Sequence, residues 1–116
     1  MTIFSKLPLS GSTNGRQILV SASATAGTLV HTAVSGTSSL DEIWIYAVNT
    51  STSSVKLTLE YGGVTAPNDH IEITLAGEAG LVLVCPGLVL NNGLIVRAFA
   101  GTANVIALSG YVNRIG

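Results

Sequence analysis

Histidine, cysteine and acidic side chains are the groups in this sequence that could do chemistry, and they are few. The 116 residues include two histidines, one cysteine and six acidic residues. The densest group is Asp69-His70-Ile71-Glu72, where His70 and Glu72 would share one face of a strand with Asp69 beside them. A metal site needs three or four converging ligands. These three side chains are the bare minimum, so we favour a solvated turn and predict no metal.

The sequence also lacks the patterns that mark covalent or acid–base catalysis. It has no Gly-x-Ser-x-Gly nucleophile elbow and no glycine motif that would cradle a phosphate. Glu60 and Glu72 could be neighbours on adjacent strands, but glycoside hydrolysis would also need a cleft between them. His31 and Cys85 lie in apolar segments, where a structural role is expected. We therefore predict no enzyme activity and no cofactor; an enzyme would need a pocket that gathers His70 with two acids.

Charge is scarce throughout the chain. Five basic and six acidic residues give a formal net charge of −1, whereas 47% of the residues are hydrophobic. About 25% of residues are charged in an average soluble domain, so this surface has little electrostatic protection against association. We expect much of it to be covered by other protein. The basic residues form no cluster that could follow a phosphate backbone, which argues against a nucleic-acid partner.

Neither a membrane span nor a secretion signal is predicted. No apolar stretch, Leu81 to Cys85 included, is long enough to cross a bilayer. The first residues lack the basic segment and apolar stretch of a signal peptide. We expect synthesis in a cytoplasm, no membrane partner, and either retention there or release inside an assembly.

Short β-rich segments separated by turn residues fill residues 17–116. Residues 42–49 are apolar on both faces, which predicts a central strand buried on both sides. Residues 55–61 alternate cleanly, which predicts a half-exposed strand with Glu60 on the outer face. Asn92-Gly93 predicts a tight hairpin. About eight such segments in one domain predict an all-β fold, an antiparallel, jelly-roll-like β-sandwich. The predicted strands cover residues 17–23, 28–34, 42–49, 55–61, 71–75, 81–85, 88–90, 94–100 and 104–112, with Pro86-Gly87 between the two short runs.

Residues 1–16 are predicted to form an extended N-terminal arm ahead of the sandwich domain, residues 17–116. Apolar residues alternate loosely with polar ones in this arm and have no regular element to join, so we expect them to dock on the domain or on a neighbour. The candidate interface residues are Ile3, Phe4, Leu7 and Leu9. Deleting residues 2–10 is accordingly expected to leave a folded domain that binds its assembly poorly.

Trp44 and Tyr46 complete the candidate interface. They alternate with Ile43 and Ile45, so one face of this strand would present two large rings. Such rings serve either as a contact with another subunit or as a platform on which a sugar stacks. The alternative is that they fill the core.

In its general sequence character, the whole chain resembles the small structural proteins of tailed bacteriophages. Among these, it is most similar to the head decoration, or cement, proteins. The segments that carry the resemblance are residues 3–9, 40–50 and 90–99, together with a surface of Ser, Thr, Gly and Ala. Decoration proteins have several unrelated folds, so no functional residue is carried over. The resemblance implies many copies on the capsid surface of a virion, often as homotrimers at symmetry axes. These would clamp neighbouring subunits of the major capsid protein against internal pressure.

Two other functions remain open. One is a glycan- or receptor-binding module of a phage tail, which would use a ring platform around Trp44 or Tyr46. The other is a cellular β-rich scaffold protein that assembles with itself. Neighbouring genes for a capsid protein and a portal would separate the virion subunit from the scaffold.

Overall fold

The computed structural model describes residues 3–116, which form nine strands and no helix. Residues 1 and 2 of the predicted arm lie outside the described residues. Nothing in residues 3–116 is a helix of the length and apolarity needed to cross a bilayer. The strands are β1 (Phe4–Pro8), β2 (Ile18–Leu19), β3 (Thr28–Thr32), β4 (Leu40–Asn49), β5 (Val55–Tyr61), β6 (His70–Leu75), β7 (Val82–Leu90), β8 (Ile95–Ala100) and β9 (Ile106–Ile115).

The strands form two antiparallel sheets. Sheet A has the order β1-β9-β4-β7, and β2 pairs with β9 on the same side as β1; sheet B has the order β3-β8-β5-β6. From β2 to β9 the chain changes sheet at every connection except the one from β5 to β6. This is the strand order of a jelly roll, two Greek keys folded into a sandwich. The predicted fold class is confirmed.

The core lies between the sheets and follows the two-residue period of the strands. In β4, Ile43, Ile45 and Ala47 are fully buried, and they pack against Leu57 and Leu59 of sheet B. The prediction that β4 is buried on both faces is wrong. The strand is central, since it pairs with both β7 and β9, but its other face is only half-buried.

The outer face of β5 also differs from the sequence prediction. Thr58 and Glu60, expected to be exposed, are buried, and Glu60 has no exposed surface. The loop of residues 23–27 lies over this face, where Thr25 and Gly27 contact the Glu60 carboxylate. The predicted alternation of β5 is therefore correct, but the 23–27 loop covers the face that points away from the core.

The predicted arm is part of the sandwich. β1 pairs with β9 in register, and Leu9 is 1% exposed within the core. The next residues cross to sheet B, where the Gly11 amide donates to the Val30 carbonyl over 2.9 Å. The arm residues therefore do have a regular element to join, and they close one side of the sandwich.

Two further local predictions need correction. The strand predicted over 17–23 shortens to Ile18–Leu19, because the amides of residues 21 and 22 bond to the Thr28 hydroxyl instead of a neighbouring strand. The Asn92-Gly93 turn forms as predicted, with φ values of 60° and 67°. It joins β7 to a strand of the other sheet, however, so it is a corner between sheets and not a hairpin.

Candidate functional site

The outer face of sheet A presents a group of aromatic rings. Trp44 and Tyr46 point away from the core because they alternate with the buried Ile43 and Ile45. Tyr111 of β9 pairs in register with Trp44, and the two ring centroids are 6.2 Å apart with planes inclined by 17°. Trp44, Tyr46 and Tyr111 are called the aromatic face below.

Polar contacts hold these rings in place. Glu42 Oε1 accepts a hydrogen bond from Trp44 Nε1 over 2.8 Å and another from Asn113 Nδ2 over 3.0 Å. These hydrogen bonds stabilise the carboxylate and lower the pKa of Glu42 below its usual range. Lys6 Nζ lies 4.3 Å from the centre of the Tyr111 ring, within cation–π distance. Polar groups of both signs therefore help to position Trp44 and Tyr111.

Gly87 of β7 lies beside the indole ring of Trp44. Its φ is +75°, and a Cβ at this position would lie 2.8 Å from Cζ2 of Trp44. A side chain here would strain the backbone and push on the indole ring. The glycine lets β7 run close beside Trp44.

The two edges of sheet A carry the most exposed large apolar side chains of the described residues. The β1 edge, defined by Ile3, Phe4 and Leu19, is exposed by 57%, 72% and 51% at these positions. The β7 edge is defined by Leu81, Leu83, Leu88 and Val89. Leu81 and Val89 are 60% and 55% exposed there. Exposed apolar surface on a sheet edge marks a place where another chain can pack.

The candidate interface residues from the sequence fall into three groups. Ile3 and Phe4 lie on the β1 edge, and Trp44 and Tyr46 lie on the aromatic face. Leu7 is partly buried against the core, and Leu9 belongs to the core and has almost no surface for a partner. Sequence reasoning missed Tyr111 and Leu19. The outward position of Leu19 could have been predicted, because Leu19 alternates with the inward residues Ile18 and Val20. The contact of Tyr111 with Trp44 could not, because it depends on how β4 and β9 pair.

The side chains considered for a metal do not converge. The Asp69 carboxylate accepts from the Thr65 amide, and Glu72 pairs with Lys56 over 3.1 Å. Among residues 3–116, no group of three His, Cys, Asp or Glu side chains is placed to hold a metal ion. Asp69 and Glu72 thus have separate local partners.

His70 does lie beside a buried carboxylate. Its Nε2 is 3.9 Å from Glu60 Oε2, and a pocket of about 240 Å³, lined by Ala66, Pro67, His70 and Glu72, opens beside it. The Glu60 carboxylate accepts from the Gly27 amide over 2.6 Å and from the Thr25 hydroxyl. Both of its oxygens therefore hold the 23–27 loop, and the carboxylate has no exposed surface for a substrate to reach. The arrangement acts as a clamp on this loop.

His31 belongs to a second buried cluster, which ties the N-terminal segment to both sheets. The Ser10 amide donates to His31 Nδ1 over 3.0 Å, so the ring proton lies on Nε2, which donates to Asp41 Oδ2 over 2.7 Å. Arg114 donates to both Asp41 oxygens, over 2.7 and 2.9 Å. Burial opposes ionisation of Asp41, but the hydrogen bonds from Arg114 and His31 outweigh it and lower its pKa.

Cys85 has the structural role predicted for it. The side chain is buried, and its thiol donates to the Ile43 carbonyl over 3.3 Å. Burial raises the pKa of the thiol, which disfavours the reactive thiolate.

Comparison with known proteins adds no relative. No family model matches the chain, and no curated protein or solved structure matches it. The surface of sheet A is therefore the feature from which a function is argued.

Proposed function

We propose that this chain is a virion structural protein, a head decoration or cement subunit that binds the lattice of the major capsid protein. The observation that carries the proposal is the aromatic face on the outside of sheet A. Trp and Tyr are enriched at protein interfaces and dominate their binding energy. On a domain this poor in charge, such a face is suited to permanent contact with another protein.

The geometry of the aromatic face favours tight binding. Trp44 is held by its hydrogen bond to Glu42 and by its packing beside Gly87 and Tyr111. A preorganised ring loses little conformational entropy when a partner covers it. A standard contact of about 800 Å² per partner would cover roughly one seventh of the 5928 Å² surface.

The proposed activity is mechanical. A subunit that binds the assembled lattice, and not its separated parts, stabilises the lattice by mass action. The jelly roll extends 48 Å along its longest axis, which suits a clamp laid across neighbouring lattice subunits. In this role no residue needs to do chemistry.

Rebinding to capsids tests the proposal. Particles from the virus that carries this chain are stripped of it, and purified chain is added back and co-sedimented. We expect Trp44→Ala and Tyr111→Ala to weaken rebinding at least tenfold, since interface aromatics commonly contribute 2 kcal/mol or more, about thirtyfold. Leu94→Ala, an exposed apolar change in the turn just before β8, serves as the matched control and should rebind normally. Rebinding that is unaffected by both aromatic substitutions would contradict the proposed face.

A second candidate, glycan binding, is favoured by one specific observation. The Trp44–Tyr111 pair is flanked by the Glu42 carboxylate, the Asn113 amide and the Lys6 ammonium group, a combination that can stack and hydrogen-bond a sugar. Trp44 is the one tryptophan in the chain, so its fluorescence reports any occupant of this face. A saturable change with a sugar would favour the tail-module alternative, whereas an unchanged spectrum across a glycan panel favours decoration.

A further inference from the structure

The two Asn-Gly pairs of the chain, Asn14-Gly15 and Asn92-Gly93, form the same kind of turn. Both members of each pair have positive φ, with values of 54° and 84° in the first pair and 60° and 67° in the second. In residues 13–16 and 91–94, the amide of the fourth residue donates to the carbonyl of the first, over 3.0 and 3.2 Å. These are features of a type I′ turn. The two turns therefore match in residue type and in backbone conformation.

The second turn is tied to a distant segment of the chain. The Gly93 amide donates to the Val34 carbonyl over 2.9 Å, and the Asn92 amide donates to the Gly36 carbonyl over 2.8 Å. Both acceptors lie between β3 and β4. Opening this turn therefore breaks two backbone hydrogen bonds to another segment.

The first turn has only a local hydrogen bond at the same place. The Gly15 amide donates to the Ser12 hydroxyl over 3.1 Å, and this contact is exposed. Within residues 3–116, neither the Asn14 nor the Gly15 amide donates to a carbonyl of another segment. The glycine nitrogen of the first turn is therefore released far more easily than that of the second.

A released glycine nitrogen can react with the asparagine that precedes it. After the amide loses its proton to solvent base, the nitrogen attacks Cγ of the asparagine side chain and closes a five-membered succinimide ring. The bond from Cγ to the side-chain nitrogen breaks, and that nitrogen takes a proton from water and leaves as ammonia. Water then opens the ring at either carbonyl, which leaves aspartate or isoaspartate. Glycine favours the attack because it has no Cβ to obstruct it.

We infer that Asn14 is a site of spontaneous modification in the folded chain, and that the anchored turn protects Asn92. Ring closure rotates the peptide plane between the two residues, so each turn must open before it reacts. The rate then follows the fraction of time that the turn is open, and one typical hydrogen bond changes such a fraction about fivefold. We therefore expect Asn14 to react at least about fivefold faster than Asn92.

The modification gives the folded chain a second, more acidic form. It adds one negative charge to a chain whose formal net charge is −1. The site lies in the connection between β1 and β2, outside the aromatic face. The inference thus goes beyond the proposed function, because it requires no capsid and no other protein.

Peptide mapping by mass spectrometry tests the difference between the two turns. Trypsin cleaves after lysine and arginine, so positions 14 and 92 fall in separate peptides, residues 7–16 and 57–97. The folded wild-type chain is incubated in mildly alkaline buffer, and the converted fraction of each peptide is followed against a sample taken at the start. We expect conversion at Asn14 to lead at least about fivefold in the folded chain, and the two positions to react at similar rates in urea. Equal rates in the folded chain, or the same difference in urea, would overturn the inference.

Three substitutions test the roles of the residues. Ser12→Ala removes the acceptor of the Gly15 amide, so it should speed conversion at Asn14 and leave Asn92 unchanged. Asn14→Gln should abolish the acidic form in ion-exchange chromatography, because the longer side chain would have to close a less favourable six-membered ring. Asn92→Gln is the matched control and should accumulate the acidic form as the wild type does. An acidic form that persists in Asn14→Gln, or that disappears in Asn92→Gln, would contradict the assignment to Asn14.

Discussion

At the scale of single residues, Asp41 is the most consequential ionised group in the core. Its carboxylate has no exposed surface and accepts hydrogen bonds from Arg114, His31 and the Val34 amide. Because the folded state lowers the pKa of Asp41 below its ordinary value of 3.8, the stabilisation is complete above that value. It is lost as the pH falls toward the folded-state pKa.

We expect Asp41→Asn to lower the free energy of unfolding by about 2 kcal/mol at pH 7, because it removes the charge of a buried carboxylate that accepts hydrogen bonds from Arg114 and His31, and hydrogen bonds to charged groups contribute about 1.5–3 kcal/mol. The difference from the wild type should shrink below pH 3.8, because Asp41 of the unfolded wild-type chain takes up its proton there while the folded state holds a lower pKa. Urea unfolding from pH 7 to pH 3 measures both effects. The control is Glu72→Gln, which breaks the exposed pair with Lys56 and should cost under about 1 kcal/mol. Equal effects of the two substitutions would contradict this account of Asp41.

Glu60 gives a second residue-scale prediction. Glu60→Ala removes the acceptor of the Gly27 amide and the Thr25 hydroxyl, and an unsatisfied buried donor costs about 1–3 kcal/mol. Glu60→Gln keeps an acceptor oxygen for the Gly27 amide and should cost less. Hydrogen exchange of the Gly27 amide should speed up in the alanine variant and much less in the glutamine variant. Unchanged exchange in Glu60→Ala would show that the carboxylate does not clamp the loop.

At the scale of elements, β1 makes the N-terminal segment a necessary part of the fold. Deleting residues 2–10 removes Leu9 from the core, breaks the β1–β9 ladder and takes away the Ser10 amide that His31 Nδ1 accepts. We expect the truncated chain to lose its cooperative thermal transition in circular dichroism, the opposite of what the sequence predicts. Phe4→Ser, at an exposed position of the same strand, should melt within a few degrees of the wild type. A truncated chain that melts cooperatively near the wild-type temperature would contradict the structural role of β1.

The sequence correctly predicted the strands whose own alternation of apolar and polar residues shows which face is buried. The alternation of Val55, Leu57 and Leu59 placed the core face of β5 correctly, and the turn residues placed most strand ends. The outer faces were harder, because they depend on distant segments. Glu60 is buried by a loop more than thirty residues away in the chain, and Tyr111 joins Trp44 through a strand pairing across the sheet. No local pattern encodes either contact.

At the scale of the whole molecule, the outside of sheet A carries the proposed contact surface. The aromatic face would meet a capsid lattice, and the apolar edges of the sheet are exposed in the single chain. Sheet B carries the clamp formed by Glu60 and the 23–27 loop. A charge-poor chain would thus bury its apolar excess in an assembly and remain soluble as part of it.

The copy number of the chain in purified virus particles tests the central claim most directly. Quantitative mass spectrometry of intact particles measures the ratio of this chain to the major capsid protein. A decoration role predicts a fixed ratio close to the number of lattice sites, which means many copies per particle. Only a few copies per particle, or none, would contradict a decoration role.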